Sequence, residues 1–235
     1  NTELGIRLRY TPGEKKIETH RKDIRIRGAL PELELRYSTG IKGWLSGQYS
    51  YQKAVASVTQ NLRIPLWGKL NYMIYGGKIS GGPLPFMLLE VHPGNEVYYY
   101  NKQAFNLMNR FEFVSDQYAG FTVEHDFEKK LLNLLPFMRK TNMRQFWNVK
   151  GVWGDVTADD RKLNHLEFGN YRLRSLKGKS YVEVGTGLDN IFKFFRVDLV
   201  WRFVAPMSTT PGMPPPQVKN STDNFGIFGS FHLQF

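Results

Sequence analysis

From Phe225 to Phe235 the chain alternates strictly. Phe225, Ile227, Gly229, Phe231, Leu233 and Phe235 fall on one side of an extended backbone, and Gly226, Phe228, Ser230, His232 and Gln234 on the other. Successive strand residues point to opposite faces, so this pattern predicts a strand with one greasy and one polar face. The two-residue period recurs upstream. Leu4, Ile6, Leu8 and Tyr10 alternate with Gly5, Arg7 and Arg9. Ala119, Phe121, Val123 and Phe127 lie opposite Gly120, Thr122, Glu124 and Asp126. Val197, Leu199, Trp201, Phe203 and Ala205 oppose Arg196, Asp198, Val200, Arg202 and Val204. The pattern predicts about ten strands, over residues 3–10, 23–28, 32–38, 52–62, 69–78, 117–127, 145–154, 180–188, 195–205 and 225–235.

The polar faces decide between two β architectures. In a soluble sandwich one face of each strand is dry, and burying Arg or Glu there is costly. Facing a hydrated lumen, the same charges cost little. The expected fold class is therefore all-β, an antiparallel transmembrane β-barrel with long extracellular loops. Arg7, Arg9, Glu124, Asp126, Lys150, Arg196, Asp198 and Arg202 are its candidate lumen-facing charges. Glu124 and Asp126, adjacent on one strand face, are expected to meet Arg or Lys from neighbouring strands. Tyr10, Tyr37, Trp67, Trp153 and Phe203 stand near strand ends, where barrels carry aromatic girdles. The terminal Phe235, closing an alternating strand, resembles the signature that the barrel-assembly machinery reads in bacterial outer-membrane proteins.

Loop lengths follow the same architecture. With the C-terminus placed in the periplasm, long connections should be extracellular and short ones periplasmic. Connections 206–224, 155–179, 79–116 and 11–22 read as long and extracellular; 189–194, 63–68 and 28–31 read as short and periplasmic. Segment 128–144 is the exception, with Leu131, Leu132, Leu134, Leu135, Phe137 and Met138 beside Lys129, Lys130, Arg139 and Lys140. It reads either as an interfacial segment lying on the inner leaflet or as a short core helix. Connection 79–116 carries Pro83, Pro85, Phe86, Met87, Leu88, Leu89, Tyr98, Tyr99, Tyr100 and Phe105, too apolar for a freely solvated loop. It is expected to fold back onto the barrel as a plug or cap, with docking on a partner protein as the second reading.

Composition narrows the classes further. The chain has 235 residues, enough for a barrel of this size. Mean hydropathy is -0.41, and no run approaches the ~20 apolar residues of a membrane helix. Aromatics make up 14% and cysteine is absent, which removes disulfides, thiolate metal sites and a cysteine nucleophile. The net charge of +11 is spread along the whole chain and alternates with apolar residues, so nucleic acid is not expected as a partner. Asn1 to Tyr10 already reads as a strand, so either a leader has been removed or the sequence starts within a longer protein.

Reactive residues give little chemistry. His92, with Glu90 and Glu96, has the makings of a metal ligand or general base, but Pro93, Gly94 and Asn95 favour a turn with the ring packed among Tyr98, Tyr99 and Tyr100. Asp159, Asp160 and His165 read as solvated loop charges without a second such pair facing them. His20 and His232 enter no motif, and His125 falls on the greasy face near a strand end. No nucleophile triad, phosphate loop or zinc spacing is present, so no catalytic, metal or cofactor residue is assigned and no enzyme is expected.

Specific segments carry a family resemblance. They include Gly77–Lys–Ile–Ser–Gly81, Leu89–Glu–Val–His–Pro–Gly–Asn–Glu96, Ala104–Phe–Asn–Leu–Met–Asn109, Glu112–Phe–Val–Ser–Asp116, Pro136–Phe–Met–Arg–Lys140 and Arg196–Val–Asp–Leu–Val–Trp–Arg202. In these segments and their order the chain resembles a Bacteroidota outer-membrane family of unknown function, DUF5686-like. The resemblance implies a periplasmic carboxypeptidase-regulatory-like domain ahead of a larger barrel, of which this chain would be the C-terminal portion. A self-contained ten-stranded barrel is the alternative. Three functions are carried forward: a non-enzymatic subunit or scaffold of an outer-membrane assembly, a pore or transporter for small solutes, and, last, an envelope hydrolase. The expected partners are outer-membrane lipid, the assembly machinery during biogenesis and other outer-membrane proteins.

Overall fold

The computed structural model describes residues 1–17, 24–26, 30–164, 173–204 and 224–231. Nine strands form one antiparallel sheet. In spatial order they are β1 (Glu3–Tyr10), β4 (Glu32–Gly40), β5 (Tyr51–Ile64), β6 (Gly68–Ser80), β9 (Gln117–Asp126), β10 (Arg144–Asp155), β12 (Ser180–Ile191), β13 (Phe195–Val204) and β14 (Phe225–Phe231). β2 (Lys15–Ile17) and β3 (Ile24–Ile26) pair only with each other. β7 (Glu90–Val91), β8 (Phe113–Ser115) and β11 (Arg174–Ser175) make a small separate sheet, and α1 (Ala158–Asn164) is a seven-residue helix.

The all-β antiparallel architecture holds, with one correction. The strand expected over 23–28 does not join the large sheet; its described part, β3, sits in the β2–β3 pair. The reason is that β1 pairs directly with β4 over their whole shared length, from Glu3 opposite Gly40 to Tyr10 opposite Leu33. That register aligns Ile6 with Tyr37 and Leu8 with Leu35, leaving no edge between the two strands. The large sheet therefore has nine strands among the described residues, and Tyr10 and Glu32, which flank connection 11–31, lie at the same end as the short turns. The sheet is open, with β1 and β14 as its edges.

Every strand keeps its period across the sheet. One face collects Leu8, Leu35, Ala56 and Gly76 through successive pairs, with Ile74 two positions along β6 and opposite Phe121, and beyond them Leu199 and Ile227. The other collects Arg36, Val55, Glu124, Asn148, Asp198 and Phe228. The apolar face is bare: Ile6, Leu8, Ile74, Ile227 and Phe231 are all exposed. The charged face is covered over its C-terminal half, where Lys150, Glu183, Arg196 and Asp198 are buried.

Aromatic side chains gather at both ends of the bare face. At one end Trp201 lies 5.2 Å from Phe225, with Trp153 and Phe203 also exposed. At the other, His125 lies 4.2 Å from Phe127 and 6.0 Å from Trp147, and Phe194 stacks on Phe231 at 6.2 Å. Trp147 and Trp153 stand six positions apart on β10, which is about 20 Å of strand. This second end also carries the tight turn between β5 and β6, where Gly68 adopts a φ of 102° and a Cβ would lie 2.0 Å from the Asp126 carbonyl oxygen.

Candidate functional site

The long connection between β6 and β9 folds onto the charged face and builds the core there. Phe105, Met108 and Phe113 from the loop pack with Val152 and Tyr181 of the sheet. Leu84, Leu89 and Val114 pack with Tyr51 and Ile79. Tyr100 closes a third cluster with Val200 and Phe228. The loop is held by β7 and β8 and by β11, which pairs parallel to β8.

Charged side chains of the sheet pin the loop backbone. The Glu183 carboxylate accepts from the backbone N–H groups of Asn106 and Leu107, both at 2.8 Å, and from the Tyr181 hydroxyl at 2.6 Å. Lys150 donates to the carbonyls of Ala104 at 2.7 Å and Asn101 at 3.0 Å. Arg202 donates to Glu112 at 2.7 Å and to the Leu107 carbonyl at 3.1 Å. Arg196 pairs with Asp198 at 2.8 Å and Glu124 at 3.2 Å, with its guanidinium 3.7 Å from the Phe146 ring centroid. Buried charge is tolerated when each polar atom finds a partner. Here most of those partners belong to the loop.

All eight sequence-assigned charges lie on this face, but they do different things. Lys150, Arg196, Asp198, Arg202 and Glu124 form the loop seat; Glu124 also meets Lys102 at 2.9 Å. Asp126 instead accepts the Glu128 backbone N–H at 2.7 Å. Arg7 and Arg9 pair with Glu34 and Glu32, each at 2.7 Å, on the open half of the sheet. Phe235, His20, His165 and His232 lie outside the described residues. Glu183 and Glu112 were not singled out from sequence. Glu183 was reachable, since it shares the charged face with Tyr181 and Gly185 and alternates with Val182 and Val184. Glu112 sits in a loop with no period to reveal it.

Two expectations about reactive residues are corrected. His92 does not pack among Tyr98, Tyr99 and Tyr100. It is buried against Tyr118, ring centroids 5.5 Å apart, and its Nε2 lies 2.9 Å from Ser115 Oγ. Burial pushes the imidazole down to about 4, against a smaller opposing pull from Glu90, so at neutral pH it is uncharged. Asp160 is not a solvated loop charge. It is buried, its carboxylate accepts the Leu84 N–H at 2.6 Å, and burial first, then Asp116, raises it above the usual carboxylate range. Asp159 stays exposed. Among the described residues, no three His, Asp or Glu side chains converge as a metal site.

The N-terminal half of the charged face is open. A cavity of ≈ 530 Å³ lies between β1, β4, β5 and the loop, lined by Glu3, Arg7, Arg36, Lys53 and Glu90 among others. A second, of ≈ 250 Å³, runs beside it past Glu34, Lys102, His92 and Lys150. Lys53 meets Glu90 at 2.6 Å, tying loop to wall between them.

Residues 1–170 match a family described as "Family of unknown function (DUF5686) C-terminal domain". No curated protein matches the chain. No solved structure matches it either.

Proposed function

The chain belongs to the DUF5686 family through its C-terminal domain, and from that premise we propose that it is an integral outer-membrane β-barrel unit of a Gram-negative bacterium, serving as a non-enzymatic subunit or scaffold of a larger outer-membrane assembly. One observation carries the reading: the two faces of the sheet are inverted relative to a soluble protein. The apolar face, from Leu4 and Ile6 on β1 to Ile227 and Phe231 on β14, is bare, while the charged face is the one that is filled. Soluble monomers rarely leave contiguous apolar patches beyond a few hundred Å² in water. Hydrocarbon is the solvent that suits such a face, and the aromatics at its two ends suit the headgroup layers.

On this reading the barrel closes through strands beyond the nine described, which is supported by the even strand number of bacterial barrels and by the exposure of β1 along its length. The scaffold role is supported by the loop, whose backbone is bound by Glu183, Lys150 and Arg202 as a fixed part of the wall. The full chain should partition with outer membranes, need detergent for extraction and show heat-dependent gel migration. A protein freely soluble without detergent would overturn the reading.

A second reading, a pore for small solutes, is favoured by the open half of the charged face and its ≈ 530 Å³ cavity. Planar-bilayer recording separates the two. Discrete conductance steps from the full chain would establish the pore, and persistent silence the scaffold.

A further inference from the structure

At the end of the sheet that bears the tight β5–β6 turn, three connections made wholly of described residues project past the last strand pairs: 65–67, 127–143 and 192–194. Each carries large apolar side chains that the described residues leave uncovered: Leu66 is 84% exposed, Leu134 73%, Phe137 72% and Phe192 81%. Between these tips stand cations. Connection 127–143 holds Lys129, Lys130, Arg139 and Lys140 against the single acid Glu128. That acid is already answered by Arg63 at 3.6 Å and Lys69 at 3.9 Å from the neighbouring strands. Lys130 and Lys140 are exposed and meet no carboxylate among the described residues.

The arrangement is built rather than draped. Leu132 is buried and starts a 3-10 turn, and successive backbone bonds (Leu135 N–H to Leu132, Met138 to Leu135, Thr141 to Met138) fold the connection on itself. Asn190 donates to the Asn142 carbonyl at 2.6 Å, fastening the 127–143 connection to the start of the next turn. Greasy tips and ammonium groups are thus presented together, on the same rim as Trp67, Phe127 and Trp147. That is the chemistry of a bilayer boundary, where apolar tips reach acyl chains and lysines reach phosphates.

We propose that this rim is a docking surface for anionic phospholipid headgroups, held from the periplasmic leaflet. The proposal rests on the membrane reading above and adds a charge preference to it. Two features commit it to lipid: the rim adjoins the bare apolar face, where His125 of β9 meets Trp67 and Phe127, and its uncompensated charge among the described residues is positive.

The test uses the full chain inserted into phosphatidylethanolamine vesicles with and without phosphatidylglycerol, followed by extraction and counting of bound lipid by native mass spectrometry. Retained phosphatidylglycerol should fall about ten-fold in the variant Lys129→Glu, Lys130→Glu, Arg139→Glu, Lys140→Glu. The milder set with Gln at the same positions should show an intermediate loss and guards against misfolding. Insertion is scored separately by heat-dependent migration. Normal insertion with unchanged phosphatidylglycerol in the variants would overturn the proposal and leave the membrane reading standing. Failure of the unaltered chain to insert into either vesicle would overturn both.

Discussion

Arg202 and Glu112, ninety positions apart in the chain, meet at 2.7 Å where the long loop crosses β13. The Glu112 side chain is 2% exposed and that of Arg202 15%, so the pair is shielded from the screening that makes surface ion pairs weak. Removing one partner strands the other charge in a dry setting. Arg202→Met is therefore expected to destabilise the seated loop by about 3–5 kcal/mol, and Glu112→Gln by less. Limited proteolysis within residues 97–111 should accelerate in both variants, fastest in Arg202→Met.

Glu183 is the anchor for two consecutive loop amides. Glu183→Ala leaves the Asn106 and Leu107 N–H groups buried without acceptors, at roughly 1–3 kcal/mol for each. Hydrogen exchange should show those two amides losing protection while amides of β5 and β6 keep theirs. Equal loss everywhere would mean that Glu183 stabilises the sheet rather than the loop.

The solvent at the bare face can be read from one substitution. Ile227 pairs with Leu199 midway along the apolar band and is 56% exposed. In water Ile227→Arg would change stability by about 0.5 kcal/mol or less. At the middle of a bilayer it should cost about 2–4 kcal/mol. Denaturant unfolding of the vesicle-inserted full chain measures the difference.

His92 gives the loop a defined acid response. Its imidazole is held at about 4 in the folded protein, against 6.5 for an unperturbed group, with burial as the main cause. Above pH 6.5 it is neutral folded or unfolded and contributes no slope. Between 6.5 and 4 the unfolded chain takes up the proton and the folded one does not, so stability falls with pH. The total loss is roughly 3 kcal/mol. Unfolding midpoints between pH 4 and 7 should show this slope, and His92→Gln should flatten it.

The large strands were legible because an apolar face set against a charged one writes a two-residue period into each of them, as in Leu4–Ile6–Leu8–Tyr10 and Val197–Leu199–Trp201. Ile24 and Ile26 carry the same short period, and it does not say which partner a strand chooses; the continuous β1–β4 register excluded them from the sheet. β7, β8 and β11 are two or three residues long and pair across more than twenty positions, beyond what local pattern encodes. The same limit applied to the loop seat. Arg196 and Arg202 stood out as charges on an alternating strand, but their partners Glu112 and Tyr100 lie in irregular backbone. His92 looked like a turn residue from Pro93 and Gly94, and only the long-range approach of Ser115 and Tyr118 gave its true surroundings.

The Tyr98–Tyr100 segment bonds to the free edge of β14: the Gly229 N–H donates to the Tyr98 carbonyl at 3.0 Å, and the Tyr100 N–H to the Gly229 carbonyl at 3.0 Å. A backbone amide and carbonyl engaged in this way are withheld from any incoming strand. The loop thus acts as a zip stop on that seam: a strand arriving along β14 can run only as far as Gly229 unless the three tyrosines let go.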